Sequence, residues 1–296
     1  MRVPLASLNI PTLINFHKIR PEKKLTVLRS FALLDSDDYK FHTIHRDKIA
    51  RIILDSGTFS MNFAKGVDRS FVTLENYIRY LKRFGHLYDW YANFDEDFTP
   101  YGFAKNLENQ KTMEYAGSDP DPVVHDIYGP EIDYYIKNGY QRVALGSSQI
   151  NSEADLETAL SRFEGTGIKI HLMGKVGYKY LANFPVHSAD TAGWARDGGY
   201  GFLLYWNPEK EAPDKTDRIY LEEIIKGGPV NKTVYSTYQY RDQLDDFLGN
   251  TFGLTYHDMI GPNRSKNKQL VNTYYFAQLE DIITDIHRQK GFDTDE

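Results

Sequence analysis

From about residue 48 onward, short apolar runs alternate with longer stretches whose apolar positions recur at helical spacing. These β-like runs, which are mainly but not wholly apolar, cover residues 49–54, 90–94, 122–124, 142–145, 169–173 and 186–189. The helical stretches cover residues 73–84, 102–115, 152–163 and 178–182. Strands joined by helical crossovers at this spacing are typical of βαβ units, in which the strands pair in parallel. The pattern therefore predicts an α/β fold built on a parallel sheet.

The two ends of the chain continue this pattern less regularly. Residues 5–14 and 25–35 are the candidates for the first two strands, and residues 201–206 are a candidate for the eighth. Residues 220–290 have a mostly helical pattern, clearest at 238–247 and 269–287. A (β/α)8 barrel commonly uses about 250 residues. We therefore expect one TIM-type (β/α)8 barrel domain over 1–296, with residues about 210–296 forming a mainly helical C-terminal elaboration.

Polar residues follow the ends of most of the predicted strands. The clusters are Asp55-Ser56-Gly57, Asp95-Glu96-Asp97, His125-Asp126, Gly146-Ser147-Ser148 and His187-Ser188-Ala189-Asp190. In a parallel barrel, the carboxyl ends of all strands lie on one rim, and catalytic groups are found there. A single Asp or Ser after a strand is often only the N-cap of the next helix. A whole series of such clusters on one rim favours a functional site.

The composition fits a chain with a sizeable core and an ordinary charged surface. Hydrophobic residues make up 41% of the chain and charged residues 26%, both within the usual range for globular domains. No apolar run approaches the roughly 20 residues that cross a bilayer. The first residues turn polar too soon for a secretory signal. We therefore expect no membrane association and a cytoplasmic protein.

Cysteine is absent from the chain, which excludes disulfides and thiolate zinc sites. His42 and His45 are three residues apart but lack companion ligands nearby, so we expect no metal site there. The net charge of −6 does not favour the molecule as a whole as a nucleic-acid binder. Any contact with nucleic acid would therefore depend on local basic patches.

Short motifs, in order over about residues 50–200, resemble those of the tRNA-guanine transglycosylase superfamily. Residues 54–60, LDSGTFS, resemble its SDSGGFQ signature, and residues 94–101, FDEDFTPY, are similar to its FDECTPY element. Residues 144–146, ALG, resemble the start of its ALGG turn, and residues 171–174, HLMG, resemble its YLMG. Residues 188–190, SAD, stand where the family has a strand that ends in its nucleophilic aspartate.

The departures from the family pattern bear on the substrate. The tRNA-acting members hold a structural zinc through three cysteines and a histidine, which this chain cannot do. The family's second Gly and its Gln become Thr58 and Ser60. With SADTAGW at residues 188–194, the chain is more similar to the zinc-less branch that inserts 7-deazaguanines into DNA, found in phages and genomic islands. The resemblance thus implies DNA in preference to tRNA, no cofactor, and the host cytoplasm for a phage-encoded protein.

The resemblance also implies distinct roles for the carboxylates of the rim. Base exchange restores the original anomeric configuration, which double displacement with two carboxylates achieves. Asp190 would attack C1′ and form a covalent glycosyl-enzyme. Asp55 would assist the departing guanine and then deprotonate the incoming 7-deazaguanine, for example preQ0. Asp95 would accept hydrogen bonds from the N1–H and the exocyclic amine of the base.

The remaining base contacts are assigned to neighbouring residues of the same clusters. Ser56 and the amides near Gly57 and Gly146 would complete base recognition. Either His125 or Asp126 would replace the glutamine with which the family reads the base.

Contacts to nucleic acid are expected from residues beyond the motifs. In a duplex the target nucleotide must be flipped out of the stack. Lys175 and Arg196 are candidates for phosphate contacts, and Tyr200 or Trp194 for stacking. The plainer alternatives are a packing role for Trp194 and an ion pair between Arg196 and a neighbouring aspartate.

Two other functions stay open at this stage. One is a hydrolytic glycosidase or nucleosidase in which Asp55 and Asp190 act as an ordinary pair and no acceptor base is needed. The other is a non-catalytic, transglycosylase-like subunit that binds nucleic acid. A homodimer, or a partner protein that supplies nucleic-acid affinity, is compatible with the net charge of −6.

Overall fold

The computed structural model describes residues 1–63, 70–146, 149–221 and 233–294. The chain forms two compact units. The first comprises Met1–Ser7, Lys24–Thr191 and Thr284–Glu296, and the second comprises Leu8–Lys23 and Ala192–Ile283. The expected single domain over residues 1–296 stays a prediction.

The regular elements are numbered here in chain order. The strands are β1 Leu5–Ala6, β2 Leu25–Ser30, β3 Ile49–Asp55, β4 Trp90–Tyr91, β5 Val123–Val124, β6 Arg142–Leu145, β7 Lys169–Leu172, β8 Ser188–Ala189, β9 Phe202–Trp206, β10 Thr216–Tyr220 and β11 Thr233–Val234. The helices are α1 Ile10–Ile19, α2 Tyr39–His42, α3 Thr58–Phe63, α4 Leu74–Phe84, α5 Phe103–Tyr115, α6 Glu131–Lys137, α7 Glu153–Ser161, α8 Tyr178–Asn183, α9 Gly193–Gly199, α10 Arg241–Phe252, α11 Tyr256–Ile260 and α12 Arg264–Lys290.

Strands β1 to β8 belong to the first unit and form two four-stranded sheets. The strand orders are β1-β2-β3-β4 and β5-β6-β7-β8. Every neighbouring pair within these sheets is parallel, and helices lie between successive strands along most of the chain. The α/β fold with parallel strands that the alternating pattern predicts is confirmed.

Backbone bridges also join the outer strands of these two sheets. Asn93, just after β4, donates its N–H to the carbonyl of Asp121, just before β5, at 2.9 Å. Arg2, just before β1, donates its N–H to the carbonyl of His187, just before β8, at 2.9 Å. The isolated bridges in both places are parallel, so each outer strand of one sheet runs alongside an outer strand of the other.

Local sequence signals begin several helices of the first unit. Thr73 caps α4 by accepting the N–H of Asn76 at 3.2 Å. Ser152 and Asp155 form the predicted reciprocal capping box at the start of α7, which satisfies two otherwise unpaired donors. The helices predicted at 73–84, 102–115, 152–163 and 178–182 are confirmed as α4, α5, α7 and α8, to within a few residues at their ends.

Apolar residues of both parallel sheets pack together. All six residues of β2 are buried, as expected for parallel strands covered on both faces. One core cluster draws on five strands and the residues beside them: Leu28, Ile53, Trp90, Ala92, Val123 and Ala144. Burying a large aliphatic or aromatic side chain contributes about 1.5–3 kcal/mol. This packing fixes the strand ends from which the polar clusters project.

The second unit contains a different sheet. Strand β9 pairs antiparallel with β10, and β10 pairs parallel with β11. The expectation that residues 201–206 form the eighth parallel strand is therefore wrong, and β8 takes that place. Residues 10–14 were expected in the first strand but begin α1. Asn9 caps this helix by accepting the N–H of Thr12 at 2.9 Å, and Pro11 stands in its first turn, both of which favour a helix start.

The described part of residues 210–294 is mainly helical. Helices α10 and α12 correspond to the stretches expected at 238–247 and 269–287. Strands β10 and β11 were not predicted, and residues 222–232 lie outside the described residues. Side chains from β9, β10, α10 and α12 share one core cluster. None of the helices in the described ranges combines the length and apolar character that crossing a membrane requires.

Candidate active site

The predicted rim residues of the first unit lie at the carboxyl ends of its parallel strands. Asp55 is the last residue of β3, His125 follows β5, Gly146 follows β6 and Asp190 follows β8. Asp95 lies four residues beyond β4. Hydrogen bonds and electrostatic interactions link several of these side chains, as described below.

Asp55 begins a tight turn that requires a glycine. Its Oδ2 accepts the N–H of Gly57 at 2.9 Å. Gly57 has a φ of +81°, and a Cβ there would lie 2.5 Å from the Cβ of Ala32, so only glycine fits. Ser56 is buried, and its hydroxyl lies 3.1 Å from that of Thr58. The sequence Asp-Ser-Gly thus holds the carboxylate in place through the backbone.

The surroundings of Asp55 raise its pKa to about 6. Burial is the largest cause, and the negative charges of Asp190 and Asp95 add to it. The N–H of Gly57 and the neighbouring His171 act in the opposite direction. The three carboxylates of this rim therefore interact electrostatically, because charges are screened less in a buried site than in water. A carboxyl with a pKa near neutrality can both give and take a proton.

Asp190 is held by one of its two carboxylate oxygens. Its Oδ1 accepts the N–H of Gly174 at 2.7 Å and lies 3.3 Å from Nε2 of His171. Asp190 itself is only 9% exposed. Among the described residues, no hydrogen bond reaches its Oδ2. One oxygen is thus fixed while the other is available to react.

Asp95 and His125 form a buried pair. Oδ2 of Asp95 lies 3.1 Å from Nε2 of His125, and its Oδ1 accepts the side-chain amide of Asn93 at 2.7 Å. Burial raises the pKa of Asp95. Burial lowers the pKa of His125, but the hydrogen bond and charge of Asp95 outweigh it, so the pKa of His125 is raised. The pair therefore retains a proton more readily than an isolated histidine would.

Glu131, which the sequence did not single out, supports this pair from helix α6. It is 1% exposed, and its Oε2 accepts the backbone N–H of His125 at 2.7 Å. Burial raises the pKa of Glu131 to about 7, against the opposing effect of the N–H of His125. Its Oε1 has no hydrogen-bond partner within the described ranges. The only feature of the sequence that marks Glu131 is its position as an acidic residue in the first turn of a helix.

Asp126, the alternative base-reading residue, is bonded to its own loop after β5 and to the loop after β6. Its Oδ1 accepts the N–H of Tyr128 at 3.0 Å and the side-chain amide of Gln149 at 3.3 Å. His125, in contrast, reaches Asp95. Of the two candidates that the sequence left open, His125 is the one that contacts another rim residue.

Gly146 lies directly beside the His125 ring. A Cβ at Gly146 would lie 3.2 Å from Nδ1 of His125 and 3.1 Å from the carbonyl of Val124. A larger residue would therefore crowd the ring. Ser147 and Ser148, which belong to the same predicted cluster, lie outside the described residues.

A row of aromatic rings leads away from His125. Phe98 packs edge-on against His125, with ring centres 5.3 Å apart, and Phe59 packs edge-on against Phe98 at 6.0 Å. Phe59 is 61% exposed. The row connects a buried polar pair to a side chain that solvent reaches.

The predicted phosphate-binding and stacking residues lie in both units. Lys175 follows Gly174, which contacts Asp190, and its ammonium lies 5.6 Å from the centre of the Tyr180 ring. Arg196 in α9 and Tyr200 just after it belong to the second unit, and both are exposed. Trp194 is buried in the same unit, in agreement with a packing role.

The described residues contain no group of three His, Asp or Glu side chains arranged to hold a metal ion. Comparisons with protein-family models, with curated proteins and with solved structures found no significant match to this chain. These comparisons therefore assign the chain to no family.

Proposed function

We propose that this chain is a base-exchange transglycosylase of the tRNA-guanine transglycosylase superfamily. It replaces guanine in nucleic acid, DNA in preference to tRNA, with a 7-deazaguanine such as preQ0. The observation that carries the proposal is the electrostatic coupling of Asp190, which has one fixed and one open oxygen, with Asp55, whose pKa is about 6. Double displacement at a sugar requires such a nucleophile and such a proton-transfer group.

We also propose that the strands of the first unit close into a single (β/α)8 barrel. The parallel bridges beside β4 and β5, and beside β8 and β1, support closure. The core cluster that contains residues of both sheets supports it as well. In such a barrel all strands present their carboxyl ends to one rim. This explains why residues as distant in sequence as Asp55 and Asp190 interact.

In the first displacement, Oδ2 of Asp190 attacks C1′ while Asp55 gives its proton to the departing guanine. The product is a covalent glycosyl-aspartate, in which Asp190 carries no negative charge. That negative charge is one of the causes that raise the pKa of Asp55. Ester formation therefore lowers the pKa of Asp55 and prepares it to act as a base.

In the second displacement, Asp55 takes a proton from the incoming 7-deazaguanine, which attacks C1′ and releases Asp190. Two inversions at C1′ restore the original configuration. The same carboxyl group thus acts first as an acid and then as a base, as in retaining glycosidases.

Recognition of the base falls to the buried pair of Asp95 and His125. A guanine-type edge presents two adjacent donors, N1–H and the exocyclic amine, which a carboxylate accepts. A protonated His125 supplies a donor for the neighbouring carbonyl oxygen of the base. Ser56 and the amides near Gly57 and Gly146 complete the site, and Lys175 contacts a phosphate of the flipped-out strand. In the second unit, Arg196 and Tyr200 are the residues proposed to contact nucleic acid. Asp126 instead is bonded to the loops after β5 and β6.

The proposal is tested by incubating the protein with duplex DNA or tRNA and radiolabelled preQ0, then counting label in the polymer. We expect label in DNA, its loss in Asp190→Ala, and full incorporation by the control Glu157→Gln, which alters an exposed residue of α7. Guanine release without incorporation would instead identify a hydrolase. Tight binding without chemistry would identify a non-catalytic subunit, and label in tRNA alone would reverse the substrate preference.

A further inference from the structure

His171 has no role in the mechanism above, yet it touches the nucleophile. It lies in β7 and is fully buried, with 0% of its surface exposed. Its Nδ1 lies 2.9 Å from the hydroxyl of Ser188, and its Nε2 lies 3.3 Å from Oδ1 of Asp190. The ring also packs edge-on against Trp90, with ring centres 5.0 Å apart. A buried imidazole therefore connects Ser188 to Asp190.

The chemistry of the partners decides where the ring proton lies. A carboxylate can only accept a hydrogen bond, so Nε2 of His171 must carry the proton that points at Asp190. In the neutral ring Nδ1 is then an acceptor, and the hydroxyl of Ser188 donates to it. If the ring is charged, Nε2 still donates to Asp190. Both charge states therefore place an N–H on Oδ1 of Asp190.

We propose that His171 is a positioning residue for Asp190, with Ser188 fixing the tautomer of its ring. This inference rests on the proposed base exchange. The Nε2–H of His171 and the N–H of Gly174 both hold Oδ1, which leaves Oδ2 directed at C1′. His171 also lowers the pKa of Asp55, so its electrostatic effect reaches both carboxylates.

The two donors on Oδ1 act in both displacements. In the first, the bond from Oδ2 to C1′ forms as the bond from C1′ to guanine breaks. The electron pair of the broken bond between C1′ and guanine leaves with the base, which takes the proton of Asp55. In the second, the ester bond breaks and its electron pair returns to the carboxylate, while the deprotonated base supplies the pair of the new bond. Oδ1 gains negative charge at this point, so the N–H of His171 stabilises the leaving carboxylate.

Two substitutions separate positioning from packing. His171→Phe keeps an aromatic ring against Trp90 but removes the donor, whereas His171→Gln removes the ring and keeps a side-chain N–H. We expect His171→Phe to lower kcat by about 10–100-fold, the scale of a misplaced reacting group. The KM for preQ0 should change little, because His171 does not contact the base. His171→Gln should recover most of the lost kcat.

A third substitution tests the role of Ser188. Ser188→Ala should lower kcat several-fold alone and add little to His171→Phe, since both changes act through the same contact with Asp190. Higher kcat in His171→Phe than in His171→Gln would overturn the positioning role and identify packing against Trp90 as the function of the ring. Independent losses from the Ser188 and His171 changes would also contradict it.

The ring tautomer is measured without reference to activity. In the folded protein, nitrogen-15 shifts of His171 should identify a protonated Nε2, and Asp190→Ala should perturb that nitrogen more than Nδ1. A ring protonated at Nδ1 alone would overturn the inference even if base exchange is observed. If the wild type neither incorporates preQ0 nor forms a covalent adduct, the proposed function fails, and the positioning role fails with it.

Discussion

The three carboxyl groups of the rim are chemically identical but differ in what surrounds them. Asp190 accepts two donors on one oxygen, which suits a nucleophile. Asp95 is paired with His125, which suits hydrogen bonding to a base. Asp55 accepts one backbone N–H and experiences the negative charges of both other carboxylates. Environment, more than residue type, therefore distinguishes Asp55 as the candidate for the proposed proton transfer.

At this scale we predict that Asp190→Asn lowers the pKa of Asp55 below its value of about 6. A nearby negative charge raises the pKa of an acid, and the substitution removes one. Burial persists in the variant, so the pKa of Asp55 should stay above the usual value of 3.8. Carbon-13 titration of the aspartate carboxyls measures both values.

Glu157→Gln is the matched control for this titration, because it removes one negative charge from an exposed position of α7. It should leave the pKa of Asp55 unchanged. An Asp55 titration that is identical in Asp190→Asn and wild type would show that the two carboxylates do not interact. Ester formation at Asp190 would then not lower the pKa of Asp55, and the proposed change of Asp55 from acid to base would have no cause.

At the scale of elements, helix α6 carries a buried acid whose ionisation opposes folding. The carboxyl of Glu131 at its start has a pKa of about 7 in the folded protein and 4.5 in an ordinary environment. Between these pH values the folded state binds more protons than the unfolded state. The contribution of Glu131 to stability is therefore greatest at low pH, decreases as the pH rises from 4.5 to 7, and is constant above that range.

Glu131→Gln should therefore stabilise the protein more at pH 8 than at pH 5. Each unit of pKa shift corresponds to about 1.4 kcal/mol, so the gain in free energy of unfolding at pH 8 is at most about 3 kcal/mol. The amide oxygen of glutamine can still accept the N–H of His125. Urea denaturation of the variant and wild type at both pH values measures the difference. Equal effects of Glu131→Gln at pH 5 and pH 8 would contradict the assignment.

Sequence patterns identified the elements whose signals are local. Strand β3 contains the apolar run Ile52-Ile53-Leu54, and α7 begins with a complete capping box. Strands β10 and β11 were missed because most of their residues, such as Thr216 and Thr233, are only partly buried or exposed. Their pairing depends on β9, which itself resembled another parallel strand. The antiparallel direction in which β9 pairs with β10 leaves no mark on the apolar pattern.

The residues of the candidate site, like the elements, were predictable where their signals are local in the sequence. Asp55, His125 and Asp190 directly follow apolar runs, so the parallel topology alone brings them to one side. His171 and Glu131 were missed because their importance comes from partners on other elements. A histidine inside a strand such as β7 is ordinarily a packing residue, and only its contacts with Ser188 and Asp190 distinguish it.

At the scale of the whole molecule, the charge limits how nucleic acid can bind. A net charge of −6 repels a polyanion on average, so productive contacts must be local. Lys175 is a suitable local contact because it follows Gly174, the residue that holds Asp190. Lys169 stands at the opposite, amino end of the same strand, β7. Because the two lysines lie at opposite ends of the same strand, Lys169 is a matched control for Lys175.

We therefore predict that Lys175→Gln weakens binding to DNA and Lys169→Gln does not. Each phosphate contact contributes about 0.9 to the slope of log affinity against log salt concentration, so the slope should fall by about that amount in Lys175→Gln alone. The loss should be similar for DNA of any sequence, because a phosphate contact reads no base. Fluorescence anisotropy over a salt series measures both quantities. Equal slopes for the two variants would place the DNA elsewhere than at the carboxyl end of β7.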